Sequence, residues 1–177
     1  ATCEVEYRRI ADEEDDSGGG GWPNSNHDCF AAMLKLWEHI EMCKTKQLES
    51  NAAAAAVDFS RVVILGHSAG GQLALWLCSS GAEMEAVVAG RSLTSAKLPF
   101  RPALCVALAP VADLVDAAQR RLSDSGDAVQ RYVGAAMGVG PDSKASRPEP
   151  WEVPALYALS SPLHLGVAEC PSLWVTG

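Results

Sequence analysis

Ser68 stands in Gly66-His67-Ser68-Ala69-Gly70-Gly71, between the apolar run Arg61 to Leu65 and a second apolar pattern that begins at once. A serine at a tight strand-to-helix turn is a candidate nucleophile. The turn lifts Oγ to the carboxyl end of the sheet, above a helix N-terminus whose N–H groups and dipole favour an oxyanion. The G-x-S-x-G spacing has a steric cause, because the residues two before and two after the serine must be small. Gly66, Gly70 and Gly71 are therefore read as structural to the turn, and the Ala69 N–H as the oxyanion donor. The competing reading of Ser68 is a helix N-cap, a role serine fills well. His67 is adjacent, but neighbours across a sharp turn point apart. It is read as structural or pocket-lining rather than as a base.

A hydroxyl nucleophile needs a base, and the base needs an orienting carboxylate. The chain has four histidines. His27 and His39 precede Ser68, with His39 expected to face solvent, and His164 follows it. Asp113 comes after the apolar run Ala103 to Ala109 and has two readings, a catalytic acid or the N-cap of the next helix.

The elements that must position these residues follow from periodicity. Arg61 to Leu65 and Ala103 to Ala109 are β-branched and aliphatic without alternation, which predicts strands buried on both faces. Leu173 to Thr176 predicts a third buried strand, and Val5 to Ile10 a short one. Helical spacing covers Asp28 to Lys44, Ala69 to Ser80, Leu114 to Leu122, Ala128 to Met137 and Pro154 to Leu159. Asn26 or Asp28 is the expected cap of the first helix. Gly18 to Gly21 reads as a flexible surface turn, and the five alanines 52–56 as a helix extension or low-complexity insertion. Strands alternating with helices predict an α/β fold, a mostly parallel sheet with helices on both faces.

Composition removes several classes. With 48% hydrophobic residues in 177, the chain can build a core, and aromatics at 6% leave most of it to Ala, Leu and Val. A net charge of −8 argues against a nucleic-acid or anionic-membrane surface, both of which need Lys/Arg clusters. The acidic run Asp12 to Asp16 lacks metal-loop spacing and reads as a solvated loop. The six cysteines (Cys3, Cys29, Cys43, Cys78, Cys105, Cys170) form no C-x-x-C pair and read as buried thiols in a reducing compartment. No apolar run approaches membrane-spanning length and no secretory signal opens the chain, so a cytoplasmic setting is expected.

The chain resembles the α/β-hydrolase superfamily, in the esterase branch near kynurenine-formamidase-like and prolyl-oligopeptidase-like enzymes. The matching stretches are V-E-Y-R-R-I (Val5 to Ile10), G-G-G-W-P (Gly19 to Pro23) with Asp28 after it, and D-F-S-R-V-V-I-L-G-H-S-A-G-G (Asp58 to Gly71). A-P-V-A-D-L (Ala109 to Leu114), A-L-S-S-P-L (Ala158 to Leu163) and C-P-S-L-W-V-T-G (Cys170 to Gly177) continue it in family order. The resemblance implies a serine hydrolase of carboxylic esters or amides working through an acyl-enzyme on Ser68, with no metal or organic cofactor. It implies a helix-capping role for Asp113, and it favours reading His164 as a surface or loop histidine over reading it as the base, since the family's base follows a later strand. Its acid is expected beyond Gly177, and its oxyanion loop before Ala1. The chain is thus expected to be a single partial hydrolase domain, 1–177, inactive by itself. A small-molecule ester or amide is the implied partner. The reading from a different class is a hydrolase fold without catalysis, serving as a binding or scaffold element. A phosphate-binding turn has no matching G-x-x-x-x-G-K-[ST] or G-x-G-x-x-G motif.

Overall fold

The computed structural model describes residues 2–10, 19–45, 57–79, 86–88, 91–93, 98–138, 147–165 and 170–176. The acidic run 12–16, the alanine run 52–56 and Gly18 lie outside the described residues. Ten elements follow in chain order: α1 (Asn24–Thr45), β1 (Val63–His67), α2 (Ala69–Leu77), β2 (Ala86–Val88), β3 (Arg91–Leu93), β4 (Leu104–Leu108), α3 (Leu114–Gln119), α4 (Ala128–Gly134), α5 (Pro154–Ser160) and β5 (Ser172–Val175). Short 3-10 turns lie at Phe59–Arg61, Ala135–Met137 and Pro162–His164.

The expected α/β architecture is present. β1, β4 and β5 form a parallel sheet in the order β1-β4-β5, with Leu65 beside Val106 and Val106 beside Leu173. A parallel pair needs a crossover, and α2 supplies the first one, between β1 and β4. Its apolar face packs with the sheet through a buried cluster of Ala74, Leu75, Cys78, Cys105, Ala107, Ala112 and Cys170, joined by Ile64. A second cluster unites Leu114, Ala117 and Ala118 of α3 with Val129 and Val133 of α4 and Tyr157 of α5. β2 and β3 form a separate antiparallel pair that the sequence reading did not anticipate.

Several expectations need correction. The three long strands were expected to be covered on both faces. Among the described residues, Val63, Leu65, Leu173 and Val175 are instead 48% to 64% exposed. On β1 the open residues Val63 and Leu65 alternate with half-buried Ile64 and buried Gly66, as a pleated strand requires, whereas β5 is exposed along its whole length. An apolar pattern on both faces reads the same whatever covers it.

Val5 to Ile10 is not a strand. Its backbone is engaged elsewhere: the Arg8 N–H donates to Asp28 Oδ2, the Arg8 carbonyl accepts from Ser25 Oγ, and the Arg9 carbonyl accepts from the Gly20 N–H. The Arg8 guanidinium adds a fork of two bonds to Asp28, both 2.8 Å. The first helix starts earlier than expected, with Ser25 N–H already bonded to the Gly21 carbonyl. Asn26 and Asp28 therefore lie inside α1, and neither is its cap.

The glycines 19–21 are not a tolerant turn either. A Cβ on Gly20 would stand 2.2 Å from the Arg9 carbonyl oxygen, and one on Gly21 would stand 2.6 Å from Ala135 Cβ at a φ of +91°. That tightness lets the Trp22 N–H reach the Tyr132 carbonyl at 2.8 Å and seals the Trp22 ring completely, edge-on to Trp76. Five cysteines are buried as expected, and Cys3 is exposed.

Candidate active site

The geometry at Ser68 departs from both neighbouring elements. Its φ is 53° and its ψ −119°, a combination that costs a residue with a Cβ about 1–3 kcal/mol. The Ser68 N–H donates to the Leu108 carbonyl at 2.9 Å, which extends the β1–β4 ladder by one step. The Ser68 carbonyl accepts from the Gln72 N–H at 3.1 Å, which begins α2. One residue thus ends the strand and starts the helix, with no linker between them. A side-chain cap would compensate such strain, but Ser68 makes no cap hydrogen bond. Its side chain is exposed, and among the described residues Oγ has no partner. The N-cap reading of the hydroxyl does not hold.

The flanking glycines divide. A Cβ on Gly66 would lie 2.0 Å from the Gly70 carbonyl oxygen and 2.7 Å from the Gly71 nitrogen, so the first turn of α2 rests on the bare backbone of β1. A Cβ on Gly71 would lie 3.0 Å from Pro110 Cβ, on the segment after β4. Among the described residues a Cβ on Gly70 would meet nothing within 4 Å, so no close neighbour there requires it to be small, contrary to expectation. The turn needs two of the three glycines.

Ala69 is the first residue of α2, so its N–H has no intrahelical acceptor and sits beside Ser68 at the positive end of the helix dipole. Ala109, at the end of β4, is a second non-glycine residue with positive φ, 43°, and its N–H donates to the Val175 carbonyl. Strained residues therefore lie at the carboxyl ends of two adjacent parallel strands. That edge is where α/β sheets bind ligands.

Asp113 and His164 are brought near each other. Asp113 Oδ1 accepts from the N–H groups of Val115 and Asp116 at 2.9 and 3.1 Å, capping α3. His164 Nε2 lies 3.8 Å from the same oxygen, too far for a hydrogen bond. Among the described residues no hydrogen bond joins either to Ser68. His67 is exposed rather than packed, His27 is exposed on α1, and His39 faces outward within 3.7 Å of Cys43 Sγ.

Sequence reasoning missed Pro110, Gln72 and Ser160. Pro110 could have been found, because A-P-V-A-D-L drew attention only to its aspartate. Gln72 and Ser160 carry no local signal, since their importance comes from contacts across the fold.

The family described as alpha/beta hydrolase fold matches residues 21–176. One solved structure, described as "Truncated form of carbohydrate esterase from gut microbiota", superposes with a TM-score of 0.48 at 18% identity, over 88% of this chain and 60% of that one. The chain therefore spans less than two thirds of that structure's length. No curated protein matches it. Among the described residues no helix is long and apolar enough to cross a membrane.

Proposed function

The chain belongs to the alpha/beta hydrolase fold family, and from that premise we propose that it carries the nucleophile of a serine hydrolase acting on a carboxylic ester or amide. The observation that carries this reading is the backbone of Ser68, held at positive φ with a hydroxyl that caps nothing. Strain of that kind persists where the surrounding structure imposes it, and it clusters at functional sites.

In the proposed mechanism Ser68 Oγ attacks the substrate carbonyl carbon and its proton passes to a base. The carbonyl oxygen takes the negative charge and receives the Ala69 N–H. Collapse expels the alcohol or amine, which takes up that proton, and leaves an acyl-enzyme that water hydrolyses by the same steps. Among the described residues no histidine or carboxylate hydrogen-bonds Ser68 Oγ, and none of them is assigned as the base. Asp113 serves α3 as its cap, in keeping with its two backbone bonds. Side chains and backbone N–H groups suffice for this chemistry, and the substrate is a small molecule. A reducing, cytoplasmic setting fits six cysteines of which none is in a disulfide.

The test is covalent labelling of the complete protein with a fluorophosphonate, followed by peptide mapping. The adduct is expected on the peptide containing Ser68 and absent in Ser68→Ala. A folded complete protein that neither labels nor hydrolyses p-nitrophenyl acetate would reject this reading in favour of a binding or scaffold role.

A further inference from the structure

Four residues after Ser68, Gln72 turns a polar side chain into the interior, where it is 3% exposed. Its amide nitrogen donates to the Ser160 carbonyl at 2.8 Å and to the Tyr132 hydroxyl at 3.2 Å. The Tyr132 hydroxyl donates in turn to Asn26 Oδ1 on α1. One helical turn further along α2, Trp76 Nε1 donates to the Leu159 carbonyl at 3.3 Å. Two donors at i and i+4 on one face of α2 thus address consecutive carbonyls in the last turn of α5. Those carbonyls have no acceptor role within their own helix. Ser161, the next residue, is fully buried, and its Oγ accepts from the Leu114 N–H that opens α3.

The amide contributes to folding by pairing the Ser160 carbonyl, which is buried and would otherwise lack a donor. An apolar side chain of that length would fill the same space and leave that carbonyl unpaired. The amide also adds direction. Apolar packing lets a helix roll about its axis at little cost, whereas hydrogen bonds weaken as they bend. The backbone lies about 2.3 Å from the helix axis, so a roll of about 20° displaces it by about 0.8 Å. Catalytic groups must hold position to about 0.5 Å. A roll that packing tolerates is therefore large enough to spoil catalysis.

We propose that Gln72 is a positioning residue. Through the Ser160 carbonyl and the Tyr132 hydroxyl it fixes the roll of α2, and with it the aim of Ser68 Oγ and the Ala69 N–H. The proposal rests on Ser68 being the nucleophile.

The experiment uses the complete protein with Gln72→Met, which keeps length and removes both donors, and Tyr132→Phe, which removes one partner and leaves the Ser160 bond. Each is measured for kcat and KM with p-nitrophenyl acetate, rate of fluorophosphonate labelling, and urea unfolding midpoint. Gln72→Met is expected to lose about tenfold in kcat and in labelling rate, with KM within about twofold. Tyr132→Phe is expected to lose about twofold to threefold in kcat. Wild-type kcat and labelling in folded Gln72→Met, or a raised KM at unchanged kcat, overturns the positioning role alone. If Gln72→Met does not fold, wild-type kcat in Tyr132→Phe overturns it. Labelling that persists in Ser68→Ala overturns the nucleophile itself and the positioning role with it.

Discussion

The Ser68 N–H is hydrogen-bonded to the Leu108 carbonyl at 2.9 Å, so the amide of the candidate nucleophile is already committed to the sheet. A developing oxyanion must therefore look one residue on, to Ala69. The same bond pins the strained residue from the strand side, while the Gln72 N–H pins it from the helix side. A hydroxyl that caps nothing contributes little to stability, which separates function from folding at this position.

Ser68→Gly is accordingly expected to raise the unfolding free energy, by about 1 kcal/mol or more, because glycine adopts φ 53° without strain. Ser68→Ala should leave stability within about 0.5 kcal/mol of wild type. Both should lower kcat for an activated ester by roughly 10⁴-fold or more in the complete protein. Urea midpoints and steady-state rates measure the two effects. A Ser68→Gly protein less stable than wild type would show that the strain is not real.

Gly66→Ala and Gly70→Ala should behave oppositely. The first places a methyl 2.0 Å from a backbone oxygen and should disrupt folding and turnover together. The second adds a methyl to open space inside a helix, where alanine is favoured over glycine by about 1 kcal/mol. Equal losses at the two sites in thermal unfolding would reject this distinction.

Gly21→Ala should also destabilise, through its φ of +91° and the close approach of Ala135. The sensitive observable is the burial of Trp22 next door, read from its fluorescence maximum. An unchanged midpoint and unchanged emission would return Gly21 to the class of permissive loop residues.

The Arg8 hydrogen bond holds the Asp28 carboxyl below the ordinary carboxylate range. Folded Asp28 therefore keeps its charge to lower pH than unfolded Asp28. The stabilisation is complete above the unfolded pKa of about 3.9 and disappears as pH falls through the lower folded value. Arg8 is half exposed, so the effect is modest. Asp28→Asn should be less stable than wild type at pH 7, and the difference should shrink below about pH 4. A difference that stays constant from pH 7 to pH 2.5 would contradict the ion pair.

Thiol reactivity should be governed by access. Burial pushes the Cys29 thiol up to about 11, while a hydrogen bond with Cys78 draws Cys105 down. Cys105 is 0% exposed, however, so a lowered pKa gives it no reagent to meet. Exposed Cys3 should react with an aromatic disulfide reagent at pH 8 well before the other five, which wait for denaturant. Native Cys105 reacting as fast as Cys3 would refute this order.

The strand-to-helix turn at Ser68 was legible because its signal is local. A β-branched run, a G-x-S-x-G spacing and an apolar helix all lie within seventeen residues, Arg61 to Leu77. Gly70 was misjudged because spacing cannot tell which glycine meets a neighbour. The direction in which a Cβ would point decides that, and only three-dimensional packing reveals it. Val5 to Ile10 has strand-like residue types, yet its backbone partners come from the segment 20–28, and no alternation predicts such pairing. The three buried cysteines of the core, like Gln72 and Ser160, join elements far apart in sequence. Side chains of that kind carry no periodic mark.

The edge-on pair of Trp22 and Trp76 gives the protein an internal light source. Trp22 is fully sealed and Trp76 nearly so, whereas Trp151 and Trp174 are 70% and 43% exposed. The first two should emit at the blue side of the spectrum and resist iodide, while the last two should emit to the red and be extinguished by it. Trp76 rides on α2 about two helical turns from Ser68. Acylation of the serine that tilts or rolls that helix should therefore shift the iodide-resistant emission alone, so occupancy of the site can be followed optically, without a chromogenic substrate.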